Sequence, residues 1–226
     1  MTLLHMKTGD VCQPAVAAVI AAGRMAAARN WIPATSGNFS VRIDATRVAI
    51  TRSGVDKGAL MPEDVLIQPL HEPLLPNSSA EAPLHMELYR KDPDVGAIFH
   101  VHSHHATVIA QAHADAGGVR LTGWELQKAF SGVASHEAIV EVPVFANDQD
   151  VPALASRVTE RLTVSPEPGL SRAPGYLLAG HGLYAWGRNA QEANRHLEAF
   201  EALFHQMITL QIITQKAISH DTTGRL

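Results

Sequence analysis

The sequence predicts one α/β domain in which helices cover a largely antiparallel sheet. A chain of 226 residues suits one large domain better than two, and its 46% hydrophobic content can fill a sizeable core. Short β-rich runs alternate with helical patterns along the whole length, and no repeat, linker or low-complexity tract divides it. We therefore treat residues 1–226 as a single domain.

The first part of the chain combines a helix with a hairpin. Residues 11–29 are rich in alanine and predict a buried or half-buried helix that tolerates Pro14 in its first turn. Residues 39–43 and 47–51 alternate between apolar and polar side chains, and the Asp-Ala-Thr turn between them is typical of a β-hairpin. Residues 61–64 open a short helical turn, with a proline near its start.

The central part adds a strand between helices. Residues 82–90 carry apolar side chains at helical spacing and predict a helix with Ser79 as its cap. Residues 95–101 are an apolar, β-rich run, which predicts a buried strand. Two further helices are expected, a longer one over residues 104–113 and a short one over residues 125–130.

Towards the C-terminus strands again alternate with helices. Residues 138–145 predict a strand, and Pro143 within it indicates an edge position or a bulge. An amphipathic helix is expected over residues 151–162 and a loop over residues 166–174. The remaining predicted elements are two strands over residues 176–179 and 183–186, and a long closing helix over residues 190–218.

The amino-acid composition argues against several classes of protein and points to a metal site. Eighteen basic residues against 22 acidic ones give a net charge of −4, and the scattered basic residues do not form the footprint of a nucleic-acid binder. The single Cys12 cannot form an internal disulfide, so we expect a reducing, cytoplasmic location. We expect no membrane partner, since the N-terminus lacks a signal-peptide core and no apolar run reaches about 18 residues. The 13 histidines, by contrast, indicate a metal site.

His100 and His102 are the first candidate metal ligands. They lie at the end of the predicted strand 95–101, and residues two apart on a strand point to one face at roughly 6.6 Å. Two imidazoles at that spacing can both reach one ion at ~2.0–2.1 Å. A pair of hydrogen-bonded histidines without a metal fits the pattern equally well, and the nearby His104 and His105 are expected to be helical.

His181 is the third candidate ligand. It lies between Gly180 and Gly182 at the junction of two predicted strands, where glycines free the backbone and clear space around an imidazole. An ordinary polar turn would show the same glycines. Together, the three histidines offer three neutral nitrogen ligands, which is the arrangement of a catalytic zinc with an open position.

Three short turns rich in glycine, serine and threonine are candidate anion sites. Such turns present backbone N–H and hydroxyl donors, as phosphate cradles do. Each is a common turn when taken singly, and none fits a P-loop or a dinucleotide-binding pattern. The turns are Ser36-Gly37-Asn38, Thr51-Arg52-Ser53-Gly54 and Ser78-Ser79.

The order of these motifs resembles the class II aldolase/adducin family. The motifs run SGN, ITRSG, SSAExxxH, HVH and AGHG, and the resemblance extends from about residue 11 to residue 210. Longer stretches, among them TRSGVDKGALMPEDVL and LTGWELQKAF, are most similar to the dehydratase branch of that family. The resemblance implies a three-layer α/β/α fold with a central, mostly antiparallel sheet. It also implies a homo-oligomer, a tetramer, with active sites between neighbouring subunits.

The resemblance further implies an activity and a role for each candidate residue. The dehydratase branch removes water from a methylthio-substituted 2-ketose 1-phosphate in methionine salvage. His100, His102 and His181 would hold one zinc ion per subunit. The phosphate of this small sugar-phosphate substrate would be bound by Gly37, Asn38, Ser53, Gly54, Ser78 and Ser79.

Two carboxylates compete for the acid/base role. Glu81 matches the glutamate used by the family's aldolases and follows directly on the Ser78-Ser79 turn. Glu125 matches the catalytic glutamate of the dehydratase branch, and we expect Trp124 to desolvate it partly and raise its pKa. We favour Glu125, although the helix dipole would also stabilise a solvated carboxylate there without any catalytic role.

Two other functions stay open at this point. A class II sugar-phosphate aldolase or epimerase, acting on fuculose- or ribulose-type phosphates, would use the same fold and the same metal. An adducin-like interaction module would share the fold without catalysis, but such a module has no need of three converging histidines.

Overall fold

The structure, a computed structural model, describes residues 8–223 as three layers, helix on sheet on helix. The α-helices are α1 (Thr8–Ala28), α2 (Ala82–Lys91), α3 (His104–Ala112), α4 (Val151–Thr163) and α5 (Ala190–Thr223). The strands are β1 (Asn38–Arg42), β2 (Arg47–Thr51), β3 (Val65–Pro69), β4 (Ala97–Val101), β5 (Gly118–Leu121), β6 (Ile139–Phe145), β7 (Leu170–Arg172), β8 (Gly175–Leu178) and β9 (Gly182–Gly187). The predicted α/β/α fold class is confirmed.

The strands form one mixed sheet in the order β3-β2-β1-β4-β9-β8-β6-β5, with β7 paired to β6. Its pairs are antiparallel except for those of β6 with β7 and with β8, so the sheet is mostly antiparallel as expected. In the middle, β4 pairs with β9, and Val101 lies opposite Leu183. This register places the end of β4, which carries His100, beside the turn that carries His181.

Helices cover both faces of the sheet, and each face has its own apolar core. The helices α1, α3 and α5 pack on one face, where Val19, Ile109 and Phe200 are buried. The helices α2 and α4 pack on the other face, where Leu88 and Val158 are buried. Burial contributes about 1.5–3 kcal/mol for each such side chain. The central strand β4 is thus held from both sides, which makes it a rigid support for metal ligands.

Helix α1 begins at Thr8, so Pro14 lies in the second helical turn rather than in the first, where we expected it. Its window Val11–Ala28 has a mean hydropathy of 1.4, which by length and composition is enough to cross a membrane, contrary to our expectation. A core helix passes the same test. Val19 and Ala26 have no exposed surface and belong to the apolar core against the sheet, whereas only 28% of the window is buried, so α1 is a half-buried helix with one face on the sheet.

The strands β3, β5 and β7 were not predicted. β3 has the sequence VLIQP, β5 has only four residues, and β7 lies inside the predicted loop 166–174. Such short segments carry little alternation of their own, and they become strands because β2 and β6 offer an edge to pair with.

Pro143 lies inside the sheet, so the expected edge position is wrong. On one side β6 pairs with β5, and on the other it pairs first with β7 at residues 139–141 and then with β8 from Val144 onward. The N–H of Val144 donates to the carbonyl of Gly117 on the β5 side. Because successive N–H groups alternate, the nitrogen of Pro143 faces the gap between β7 and β8, where the ladder needs no donor.

Candidate metal centre and active site

His100, His102 and His181 converge on one point. The Nε2 atom of His102 lies 2.9 Å from that of His100 and 3.0 Å from that of His181, and the third pair is 3.3 Å apart. Glu81 completes the group, with carboxylate oxygens 2.9 Å from Nε2 of His181 and 3.4 Å from Nε2 of His100. We call these four residues the metal group, since their ligand atoms lie within 4.8 Å of one another.

Hydrogen bonds fix the ring orientation of two of the histidines. Nδ1–H of His100 donates to the backbone carbonyl of Leu183 at 3.0 Å, and Nδ1–H of His181 donates to Oδ1 of Asn147 at 3.1 Å. In these tautomers both Nε2 atoms direct lone pairs to the common centre, where two lone pairs cannot hydrogen-bond each other. A cation at that point satisfies both. The donor set therefore fits a divalent metal, whose histidine ligands normally donate their other N–H to an oxygen.

Burial keeps the imidazoles of His100 and His102 in the neutral form that metals bind. It lowers the pKa of His100 well below its ordinary value and that of His102 to about 4. Burial alone would raise the pKa of Glu81, but positive charge at the histidine cluster, at His100 first, lowers it below its ordinary value, and a bound cation would act in the same way while the imidazoles stay neutral. The site therefore combines neutral nitrogen donors with an ionised carboxylate.

Two stacked tyrosine rings pack against the imidazole of His100. Tyr184 stacks on its imidazole with ring centroids 3.9 Å apart, and Tyr176 stacks on Tyr184 at 4.7 Å. His85, the last residue of the SSAExxxH motif, is fully buried, and its Nδ1 lies 2.7 Å from the hydroxyl of Ser40. His85 thus belongs to the core beneath the site rather than to the ligands.

The three predicted turns come together beside the metal group. The N–H of Ser53 donates to the carbonyl of Asn77 at 2.9 Å, which joins the second turn to the third. Nδ2 of Asn38 donates to Glu81 and lies 3.4 Å from the hydroxyl of Ser79, which joins the first turn to the third. These hydrogen bonds therefore bring the three turns, which are far apart in sequence, together beside the metal group.

Both the backbone and the side chains of these turns are suited to an anion. Gly37 has a φ of +75°, and a Cβ there would lie 2.7 Å from the backbone oxygen of His100, while Gly54 has a φ of +72°. The hydroxyls of Ser36 and Ser78 are buried and have no hydrogen-bond partner among the described residues. Leaving buried hydroxyls unpaired costs free energy, so these groups are available donors for a phosphate.

Glu81, rather than Ser79, is the N-cap residue of α2. Ser79 lies two residues earlier, and its hydroxyl accepts the N–H of Glu81 at 3.3 Å. The predicted cap is therefore wrong in position. The hydrogen bond to Ser79 holds the backbone of Glu81 at the start of α2. From this position the carboxylate reaches the metal group.

Glu125 is not part of the metal group in the single chain. It begins a short 3₁₀ helix, and its side chain is 73% exposed, 2.6 Å from Nζ of Lys128 and 3.7 Å from Nδ1 of His136. The hydrogen bond from Lys128 lowers the pKa of Glu125. The expectation that Trp124 desolvates Glu125 and raises its pKa is therefore wrong for the isolated chain. Both residues line an open surface cleft of about 540 Å³.

Three residues at or near the site were not identified from the sequence. Asn147 lies in a loop after β6, and Tyr184 lies in an apolar strand, so neither stands out from its surroundings. Lys57 follows the TRSG turn and is buried, which no sequence pattern reports.

Comparison with known proteins agrees with this geometry. The family model described as "Class II Aldolase and Adducin N-terminal domain" matches residues 17–208. The chain belongs to the class II aldolase/adducin family. The matched residues include the four residues of the metal group.

The chain is also similar to named proteins and to a solved structure. Methylthioribulose-1-phosphate dehydratase of Bradyrhizobium sp. strain BTAi1 is 60% identical over 197 residues, which are 87% of this chain and 91% of that protein. The dehydratase of the same name from Marinobacter nauticus is 47% identical over 200 residues, 86% of this chain and 94% of that protein. The crystal structure of L-fuculose-1-phosphate aldolase from Thermus thermophilus superimposes with a TM-score of 0.71 at 28% identity, covering 88% of this chain and 97% of that one.

Proposed function

We propose that this protein catalyses the dehydration of 5-methylthioribulose 1-phosphate to 5-methylthio-2,3-diketopentyl 1-phosphate in methionine salvage. The proposal is carried by the 60% identity to a dehydratase of that substrate over most of the chain. The converging histidines support it, since an enzyme of this family needs a metal. The protein is a hydro-lyase: the substrate loses the C3 hydrogen and the C4 hydroxyl as one water molecule.

The proposal includes one zinc ion per subunit, held by His100, His102 and His181. Three nitrogen ligands suit zinc, although cobalt, manganese or iron can occupy the same donor set. When bound, the ion supplies Lewis-acid polarisation of the substrate carbonyl. Glu81 lies against the same point, and its charge balances that of the ion.

The chain's own residues bind the substrate and move the proton. The carboxylate of Glu125 takes the proton from C3 and, once protonated, gives a proton to the departing C4 hydroxyl. The C4–O bond breaks, water leaves, and the resulting enol tautomerises to the diketone. The phosphate is bound by the three turns, through Gly37, Asn38, Ser53, Gly54, Ser78 and Ser79.

Because Glu125 is exposed in the single chain, the proposal includes a homo-oligomer, a tetramer, in which Glu125 faces the metal group of a neighbouring copy. Helix α5 exposes apolar side chains near this region, and exposed apolar surface often lies at an interface. An apolar groove lined by Trp124, Met207 and Leu210 connects the helix to the Glu125 segment. The large apolar residues exposed on α5 are Leu210, Ile212 and Ile213.

Sedimentation at micromolar concentration is expected to show an oligomer. Burying the apolar face of α5 between copies would supply the free energy of association, and Ile213→Asp in α5 should weaken the assembly and the activity together. Ser156→Asp, an exposed position on α4, is the matched control. A wild-type monomer that is fully active would contradict the oligomer.

Incubation of the zinc-loaded protein with 5-methylthioribulose 1-phosphate tests the proposed reaction. We expect the diketone to form with loss of one water per turnover. Fuculose 1-phosphate and ribulose phosphate, supplied in parallel, test the aldolase and epimerase alternatives. Turnover of either one without formation of the diketone would contradict the proposal.

An aldolase is the second candidate, and one observation favours it. Glu81, which matches the glutamate of the family's aldolases, is the carboxylate that lies within 2.9–3.4 Å of the histidines. An interaction module without catalysis explains none of this convergence. A cytoplasmic location, expected from the single Cys12, remains part of the proposal.

A further inference from the structure

Lys57 is a buried cation that contacts the segment next to the first phosphate turn. It begins a short 3₁₀ helix, Lys57–Ala59, is only 4% exposed, and donates from Nζ to the backbone carbonyl of Thr35. Thr35 immediately precedes the Ser36-Gly37-Asn38 turn. Burial lowers the pKa of Lys57, and the charge of Glu81 opposes that lowering.

The backbone around Lys57 holds it in place. The side chain of Asp56 accepts the N–H of Gly58 and so caps the short helix. Helix α1 crosses so closely that a Cβ at Gly23 would lie 2.3 Å from the carbonyl oxygen of Lys57. The backbone of Lys57 is therefore packed against α1, and from this position the side chain reaches the carbonyl of Thr35.

The segment that Lys57 contacts has an unusual conformation. Ala34 and Thr35 are consecutive residues with φ of +53° and +62°, a region that side chains other than glycine seldom adopt. Such a conformation persists only where the surroundings hold it. The hydrogen bond from Lys57 to the carbonyl of Thr35 is one such restraint, and it ties the cation to the first phosphate turn.

The ammonium group has more donors than the chain satisfies. Among the described residues, the carbonyl of Thr35 is the one acceptor found for its three N–H groups. The hydroxyls of Ser36 and Ser78, which belong to the first and third turns, are buried and unpaired as well. A buried charge is costly unless a partner compensates it, and a phosphate dianion would accept from all of these donors.

We propose that Lys57 is a substrate-binding residue that supplies the positive charge for the phosphate of the sugar phosphate. The inference rests on the proposed function for the identity of the substrate. Binding of a phosphate by Lys57 would apply to any phosphorylated ligand of these turns. The inference about Lys57 and the proposed function can therefore fail separately.

Calorimetric titration of the zinc-loaded protein with inorganic phosphate tests the inference. Lys57→Met keeps the length and apolar stem of the side chain but removes the charge, and it should weaken phosphate binding about 10- to 100-fold. Lys57→Arg, which keeps the charge, should restore part of the affinity. Lys91→Met, at the exposed end of α2, is the matched control for the loss of one positive charge and should bind like wild type.

Further measurements separate charge from a purely structural role. In Lys57→Met the KM for the sugar phosphate should rise more than kcat falls, while zinc content stays near wild type and the unfolding temperature falls only by the loss of one hydrogen bond. A dephosphorylated sugar analogue should inhibit wild type and Lys57→Met alike. Equal losses for the phosphorylated and the neutral ligand, or unchanged phosphate binding, would overturn the inference. Wild-type protein that binds phosphate but does not dehydrate the methylthio sugar would overturn the proposed function alone.

Discussion

His100→Ala is expected to lose both the metal and the activity. His100 lies on the central strand β4, is fully buried, and is fixed by its bond to the carbonyl of Leu183. Its removal leaves fewer nitrogen ligands and a small polar void, so zinc content after gel filtration should fall at least about tenfold. Since a metal Lewis acid contributes several kcal/mol to such a reaction, kcat/KM should fall on the order of 10³-fold or more.

Elemental analysis and steady-state kinetics on the same preparations measure this effect. His71→Ala, at an exposed position, is the matched control and should keep its zinc and its turnover. Circular dichroism should show that His100→Ala is folded, because the apolar cores on both faces of the sheet are unchanged. Zinc content equal to that of wild type in folded His100→Ala would contradict the ligand assignment.

Glu125→Gln is expected to lower kcat by roughly 10²–10⁴-fold while zinc stays bound. Glutamine keeps the size and hydrogen bonding of the side chain but cannot take up a proton at C3 and deliver it to the C4 oxygen. Glu137→Gln, an exposed carboxylate on the following loop, is the matched control and should have little effect. Glu81→Gln should be measured in the same experiment. Unlike Glu125→Gln, it should lose zinc, because Glu81 contacts the histidines directly.

Near-normal turnover of Glu125→Gln together with an inactive Glu81→Gln would reverse the assignment and favour an aldolase-like mechanism. Mixing subunits tests whether Glu125 acts across an interface. Glu125→Gln subunits keep the metal group, and His100→Ala subunits keep Glu125, so mixed oligomers should regain activity if each site uses both. A mixture that exchanges subunits but stays inactive would place Glu125 and the metal group of one subunit in the same site.

The spacing of apolar residues predicted those helices and strands in which this spacing is regular. The hairpin β1–β2, the buried strand β4 and the closing helix α5 were expected because each has regular periodicity over its own length. β3, β5 and β7 were missed because pairing with a neighbour, rather than local propensity, makes them strands. The prediction of an edge position from Pro143 was wrong for the same reason. A proline fits inside this sheet because its nitrogen faces the gap between β7 and β8.

The candidate site likewise has a part that the local sequence predicts and a part that depends on the tertiary structure. The sequence by itself indicated a metal through His100 and His102, since strand geometry places residues two apart on one face. Only the pairing of β4 with β9 decided that His181, 81 positions later, shares the centre, because such contacts are set by sheet register. Burial is likewise a property of the assembled layers. For that reason the tertiary structure alone could place Glu81 among the histidines, leave Glu125 exposed on the single chain, and bury the charge of Lys57 beside the turns.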